Sequence, residues 1–251
     1  MAIDFNFPLD RKIALITGAG SGIGKGISES FAAKGVSVAV VDLSIGAETA
    51  VANKISNGAT AFQCDVSKSD SVNATVKAVL EQYGKIDILV NSAGIVALAP
   101  AEEISQKDWD LTLNVNLTGT FLMAQAVGKV MLKAKSGKII NMASQAGTIA
   151  LQDHVAYCAS KFGVIGVTKV LASEWGRHGI TVNSISPTVV LTELGKKAWD
   201  GPKGDALKAL IPTGRFAEPE EIAAAAIFLA SEGANMINGA DLLVDGGYTI
   251  R

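Results

Sequence analysis

Two cysteines in 251 residues, Cys64 and Cys158, form neither a disulfide framework nor a metal-ligand spacing. The two histidines, His154 and His178, are too few for a metal cluster, so no metal is expected. Lysine and arginine are scattered rather than clustered, and the net charge is −2, which argues against nucleic acid or an anionic membrane as a partner. The opening residues, Met1 to Asn6, carry neither a basic segment nor an apolar core, so no signal peptide is expected. No apolar run reaches about 18 uncharged residues, the length a membrane span needs, and a cytoplasmic location follows by default.

What is present suits a compact enzyme with many tight turns. The chain is 49% hydrophobic and 18% charged, with 26 glycines and only 6 prolines. Apolar runs read as strands at Lys12–Thr17, Val36–Asp42, Ala59–Cys64, Ile86–Asn91, Lys138–Ala143, Ile180–Ser186 and Ala240–Val244. Several are continuous rather than alternating, as in a sheet covered on both faces. Helical spacing falls between them, around 22–34, 45–56, 69–83, 105–134, 155–177 and 218–231. This alternation predicts an α/β fold: a doubly wound, Rossmann-type, mainly parallel sheet of seven strands with helices on both faces. With no linker, repeat or low-complexity tract, residues 1–251 read as one domain. The segment from about 188 to 213 breaks the rhythm with Gly195, Gly201, Pro202, Gly204 and Pro212. It reads either as a substrate lid following a strand or as a plain surface insertion.

Thr17–Gly24 (TGAGSGIG) follows the first strand and opens the first helix. Gly18, Gly22 and Gly24 permit a tight turn and close approach of a pyrophosphate, with Ser21 and Ile23 at the helix start that would receive it. Asp42 ends the second strand, 24 residues after Gly18, where an acid accepts hydrogen bonds from the adenosine ribose. Its charge repels a 2′-phosphate, and no Arg or Lys at 18–24 or 43–47 offsets it, so NAD is expected over NADP. Asp65 and Val66 stand ready for the adenine, with an Asx-turn as the competing account of Asp65. Asn91, Ser92, Ala93 and Gly94 close the fourth strand with small residues that let the backbone approach the cofactor, or form only a turn.

Tyr157 and Lys161 are four residues apart and share one face of a helix. An ammonium at Lys161 favours the phenolate and lowers a pKa that is normally about 10, fitting Tyr157 for general-base work.

Together these motifs resemble the short-chain dehydrogenase/reductase family over nearly the whole chain. The family's TGxxxGIG is Thr17–Gly24, its NNAG is Asn91–Gly94 with Ser92 for the second Asn, and its NLTG is Asn116–Gly119. Its catalytic Ser and YxxxK are Ser144, Tyr157 and Lys161, with Ser144 13 residues before Tyr157. Its N-x-I-x-P-G-x-V-x-T is Asn183–Thr192, with Thr188 replacing the glycine, and its DGG is Asp245–Gly247. The resemblance implies a catalytic set of Asn116, Ser144, Tyr157 and Lys161. In it Tyr157 exchanges the alcohol proton, Lys161 lowers its pKa and holds the nicotinamide ribose, Ser144 binds the substrate oxygen and Asn116 orders a water. It further implies cofactor contacts from Pro187, Val190 and Thr192, and a homo-oligomer, commonly a tetramer, built through the helices at 105–134 and 155–177.

The segment between Ser144 and Tyr157 holds Gln145, Gly147, Gln152, Asp153 and His154, which either bind substrate hydroxyls or face solvent at the pocket mouth. With Trp199 from the lid, Gln145, Gln152 and His154 are the expected substrate contacts. Hydroxyl-binding groups and the NAD signal favour a small-molecule polyol, diol or sugar alcohol. A 3-oxoacyl thioester reductase is the alternative enzyme, and a silent dinucleotide-binding regulator the alternative outside catalysis.

Overall fold

The computed structural model describes residues 3–44, 46–55 and 58–250. Seven parallel strands form one sheet: β1 (Ile13–Thr17), β2 (Ser37–Asp42), β3 (Thr60–Gln63), β4 (Ile88–Asn91), β5 (Gly137–Met142), β6 (Ile180–Pro187) and β7 (Asp241–Val244). Their order is β3-β2-β1-β4-β5-β6-β7. Every neighbouring pair is parallel. Connections run outward in both directions from the β1–β4 junction, so the crevice of such a sheet opens at the carboxyl ends of these two strands. β1 is buried at all five positions, which explains its unbroken apolar run.

Helices cover both faces. On one side α1 (Gly22–Ala33) and α9 (Pro219–Ala230) pack with α2 (Ala47–Ile55) over Ile16, Val38 and Ile140. On the other, α3 (Ser69–Tyr83), α5 (Gly119–Ala134) and α6 (Val155–Trp175) pack over Leu15, Leu89 and Ile139. Neighbouring strand residues thus serve opposite layers, as the period of two requires. The ends Ile45 and Ser56 of the helix expected at 45–56 lie outside the described residues, as do Met1, Ala2 and Arg251.

The structure departs from the sequence pattern in two places. The single helix expected over 105–134 is divided into α4 (Gln106–Leu113), a π-helical turn at Asn114–Thr118, and α5. The turn widens the helix at Asn116, whose carbonyl accepts from Thr120 Oγ1 at 2.7 Å, and periodicity carries no mark of one extra residue per turn. The segment 188–213 folds into two short helices, α7 (Glu193–Ala198) and α8 (Pro202–Lys208), the first capped by Thr192 Oγ1 accepting from Gly195 N. The 24 residues Val155–His178 are long and apolar enough to cross a membrane by length and composition alone, but Lys161, Lys169 and Glu174 interrupt the run, so it holds no stretch of about 18 uncharged residues. Ala156, Ser160, Lys161, Val164, Thr168 and Leu171 turn inward at helical spacing, while Phe162 and Val170 stay exposed on the outer face.

Candidate active site

The glycine-rich turn leads from β1 into α1 with Gly18 at φ 63° and Gly22 at φ 55°, both left-handed. A Cβ at Gly24 would lie 2.3 Å from the Gly18 carbonyl oxygen, and one at Gly18 would lie 2.8 Å from Ala93 Cα. The turn is therefore closed on itself and pressed against the segment after β4. Thr17 fixes that contact: its Oγ1, on a side chain 1% exposed, accepts from Ser92 N at 3.1 Å and Ala93 N at 3.2 Å. Ser21 makes no side-chain cap, and the first turn of α1 contains no acid. The N–H groups at Gly22, Ile23 and Gly24 thus begin a helix whose positive end has no side-chain anion, which fits a pyrophosphate.

Asp42 reaches back to this turn. Its Oδ2 accepts from Gly20 N at 2.9 Å and its Oδ1 from Ser44 N at 3.0 Å. The carboxylate stands at the rim of the turn, where a ribose diol would meet it. Across from Gly22 stands Thr192, whose Cγ2 would be 3.5 Å from a Cβ at that glycine. These residues fit a dinucleotide.

Other residues expected at the cofactor are committed elsewhere. The Asn91 side chain turns into the helical layer, donating to Asn141 Oδ1 at 2.9 Å, so only its backbone can face a ligand. Asp65 forms an Asx-turn, its Oδ1 accepting from Ser67 N and Ser67 Oγ at 3.0 and 2.6 Å. Val66 packs against Gly119, Pro187 ends β6, and the Val190 side chain is buried in the core. Gly94 borders the reaction centre: a Cβ there would lie 3.7 Å from Lys161 Nζ.

Ser144 follows β5, and Tyr157 and Lys161 lie on α6, on the layer that packs against that strand. Lys161 is 5% exposed, its Nζ donating to Met142 O at 2.7 Å and lying 5.6 Å from the centre of the Tyr157 ring. Burial lowers the Lys161 ammonium to about 8. Burial also pushes the half-buried Tyr157 hydroxyl above its ordinary value, with the Ser144 hydroxyl pulling it partly back. The lowered tyrosine expected from the spacing is not found in the protein by itself. Desolvation is the largest influence on both groups and favours the neutral form of each.

Asn116 is fully buried and its amide is in use. It accepts from Ile95 N at 2.8 Å and donates to Ile95 O at 2.9 Å and Ser160 Oγ at 3.1 Å. Both amide hydrogens are taken, and the side chain clamps the loop after β4 to α6. Ser160, 44 residues away from Asn116, gave no sign of this role in the sequence.

Among the expected substrate contacts, Gln145 is 6% exposed with an unpartnered Oε1, and Ser144 Oγ accepts from Ala146 N at 3.1 Å. Gln152 and His154 line a cavity, with the His154 ring 6.1 Å from that of Tyr157. Trp199 instead packs 6.1 Å from Phe216, beyond the 188–213 segment, and lies beneath Lys203 Nζ.

A family model described as enoyl-(acyl carrier protein) reductase matches residues 18–249. D-threitol dehydrogenase of Mycolicibacterium smegmatis is 63% identical over 254 residues, covering 100% of this chain and 98% of that protein. The chain belongs to the short-chain dehydrogenase/reductase family. The NAD-dependent glycerol dehydrogenase of Listeria innocua is 49% identical, covering 99% of this chain and 98% of its own. Among solved structures, a gluconate 5-dehydrogenase from Burkholderia cenocepacia in complex with NADP and tartrate superposes with a TM-score of 0.94 at 36% identity, over 98% of each chain. As a member of this family the chain is a nicotinamide-dependent alcohol dehydrogenase or reductase.

Proposed function

We propose that the protein oxidises a polyol to a hydroxyketone with NAD, through Ser144, Tyr157 and Lys161. One observation carries the chemistry: Tyr157 and the buried Lys161 are held together on α6, beside Ser144 at the carboxyl end of β5. The dinucleotide, when bound, supplies the hydride acceptor and, when oxidised, a positive ring. Tyr157 takes the proton of the substrate hydroxyl, Ser144 donates a hydrogen bond to the same oxygen, and Lys161 favours the phenolate. Asn116 acts as a positioning residue through Ile95 and Ser160.

Two relatives named for threitol and glycerol support the polyol. Asp42 supports NAD, since its carboxylate at the rim of the turn opposes a 2′-phosphate. The dispersed lysines give little support to docking of an acidic carrier protein, which weighs against the thioester alternative. We read 188–213 as a lid, helices α4–α6 as the faces of a tetramer, and the cytoplasm as the compartment, in keeping with two unpaired cysteines.

The test is a panel of three- to six-carbon polyols beside an acetoacetyl thioester, each with NAD and NADP, followed by NAD(P)H absorbance. Turnover of polyols with NAD is expected. Turnover of the thioester alone refutes the substrate class, and equal use of NADP refutes the role of Asp42. Asp42→Ala should move the NAD-to-NADP ratio of kcat/KM toward NADP by about tenfold or more.

A further inference from the structure

A cavity of about 610 Å³ lies beside the reaction centre, with Pro100, Glu102, Gln152, Asp153, His154 and Cys158 among its walls. Neither Ser144 nor Tyr157 lines it. His154 joins the two places, since it walls the cavity while its ring stands at 67° to that of Tyr157. Its position is fixed on two sides. Ala99 N donates to Asp153 O at 3.1 Å and Ala99 pairs with His154 as a parallel bridge. His154 Nδ1 bonds the Gln152 carbonyl, which can only accept, so Nδ1 is the donor of that bond and Nε2 is the ring nitrogen left for a ligand. Glu102 and Asp153 bring two carboxylates, neither in an ion pair among the described residues.

We propose that this cavity receives the unreacted end of the substrate as a neutral polyhydroxy chain. In it His154 accepts a hydrogen bond from a hydroxyl other than the one oxidised, and Glu102 and Asp153 exclude carboxylated or phosphorylated chains. The inference rests on the polyol reading above and adds the selecting groups to it. A hydroxyl donor suits Nε2 of the neutral ring, whereas an anion would meet uncompensated negative charge.

The experiment compares threitol and erythritol, the corresponding four-carbon aldonate, and 2-butanol, which has no second hydroxyl. Each is measured with the wild type, His154→Leu, His154→Gln and the Glu102→Gln/Asp153→Asn pair. His154→Leu should lower kcat/KM for the tetritols at least tenfold more than for 2-butanol. His154→Gln, which keeps an acceptor, should recover part of that loss. The double variant should raise aldonate use relative to tetritol about tenfold. Parallel losses on tetritol and 2-butanol, or an unchanged aldonate ratio, would overturn the inference while leaving the polyol reading standing. A wild type that oxidises 2-butanol but no polyol overturns both.

Discussion

At the scale of single residues, the site is governed by what burial does to Tyr157 and Lys161. Tyr157→Phe keeps the ring and removes the hydroxyl. Hydride transfer should fall at least a hundredfold while NADH binding, followed by fluorescence titration, stays within about threefold. Retained turnover would remove Tyr157 from the chemistry. Lys161 makes a second prediction. Its folded value of about 8 lies below the ordinary 10.5, so below pH 8 a buried charge is being held at a cost. Between pH 8 and 10.5 the unfolded chain binds more protons than the folded one, so this cost is relieved as pH rises. Lys161→Met should therefore be inactive yet more stable at neutral pH by about 1–3 kcal/mol, with the advantage shrinking toward pH 10. Thermal unfolding at pH 7 and pH 9.5 measures this, and a variant less stable at pH 7 would contradict it. The spacing of Tyr157 and Lys161 was legible in the sequence because one helical turn sets it. Their proton affinities were not, because desolvation depends on Met142 and the layers above.

At the scale of elements, the alternation of strands and helices reported the sheet well, since continuous apolar runs follow from burial on both faces. The π-turn at Asn114–Thr118 escaped because its cause is tertiary: Asn116 is held by Ile95, 21 residues away, and by Ser160, 44 residues away. Similarly, the commitment of Asn91 to Asn141 depends on strand pairing that no local pattern encodes. Asn116→Ala would leave the Ile95 N–H and C=O and the Ser160 hydroxyl in need of partners. A loss of about 2–4 kcal/mol is expected, read as a fall in Tm of roughly 5–12 °C. Turnover should drop as the loop carrying Gly94 loosens beside Lys161. An unchanged Tm would show that the clamp carries no stability.

At the scale of the whole molecule, the outer helices retain apolar surface that the monomer does not cover. On α4, α5 and α6, Leu111, Phe121, Phe162 and Val170 are 47%, 38%, 49% and 55% exposed. Single exposed apolar residues are ordinary, but four on adjoining helices, one of them long and apolar enough for a membrane, call for a cover. On the tetramer reading, another copy of the chain covers this surface, because a symmetric interface buries the same patch from both sides. Light scattering should give a mass four times 25.9 kDa. Phe162→Glu with Val170→Lys places charges where that interface must be dry, so the mass should fall to a dimer or monomer. The Ser144–Tyr157–Lys161 arrangement lies within one chain, but α6 forms both the site and this surface. The double variant should therefore lose activity in step with assembly, regaining it at protein concentrations that restore the oligomer. A monomeric wild type would remove this account of the apolar face, and full activity in a stably split variant would show that α6 needs no partner to hold the site.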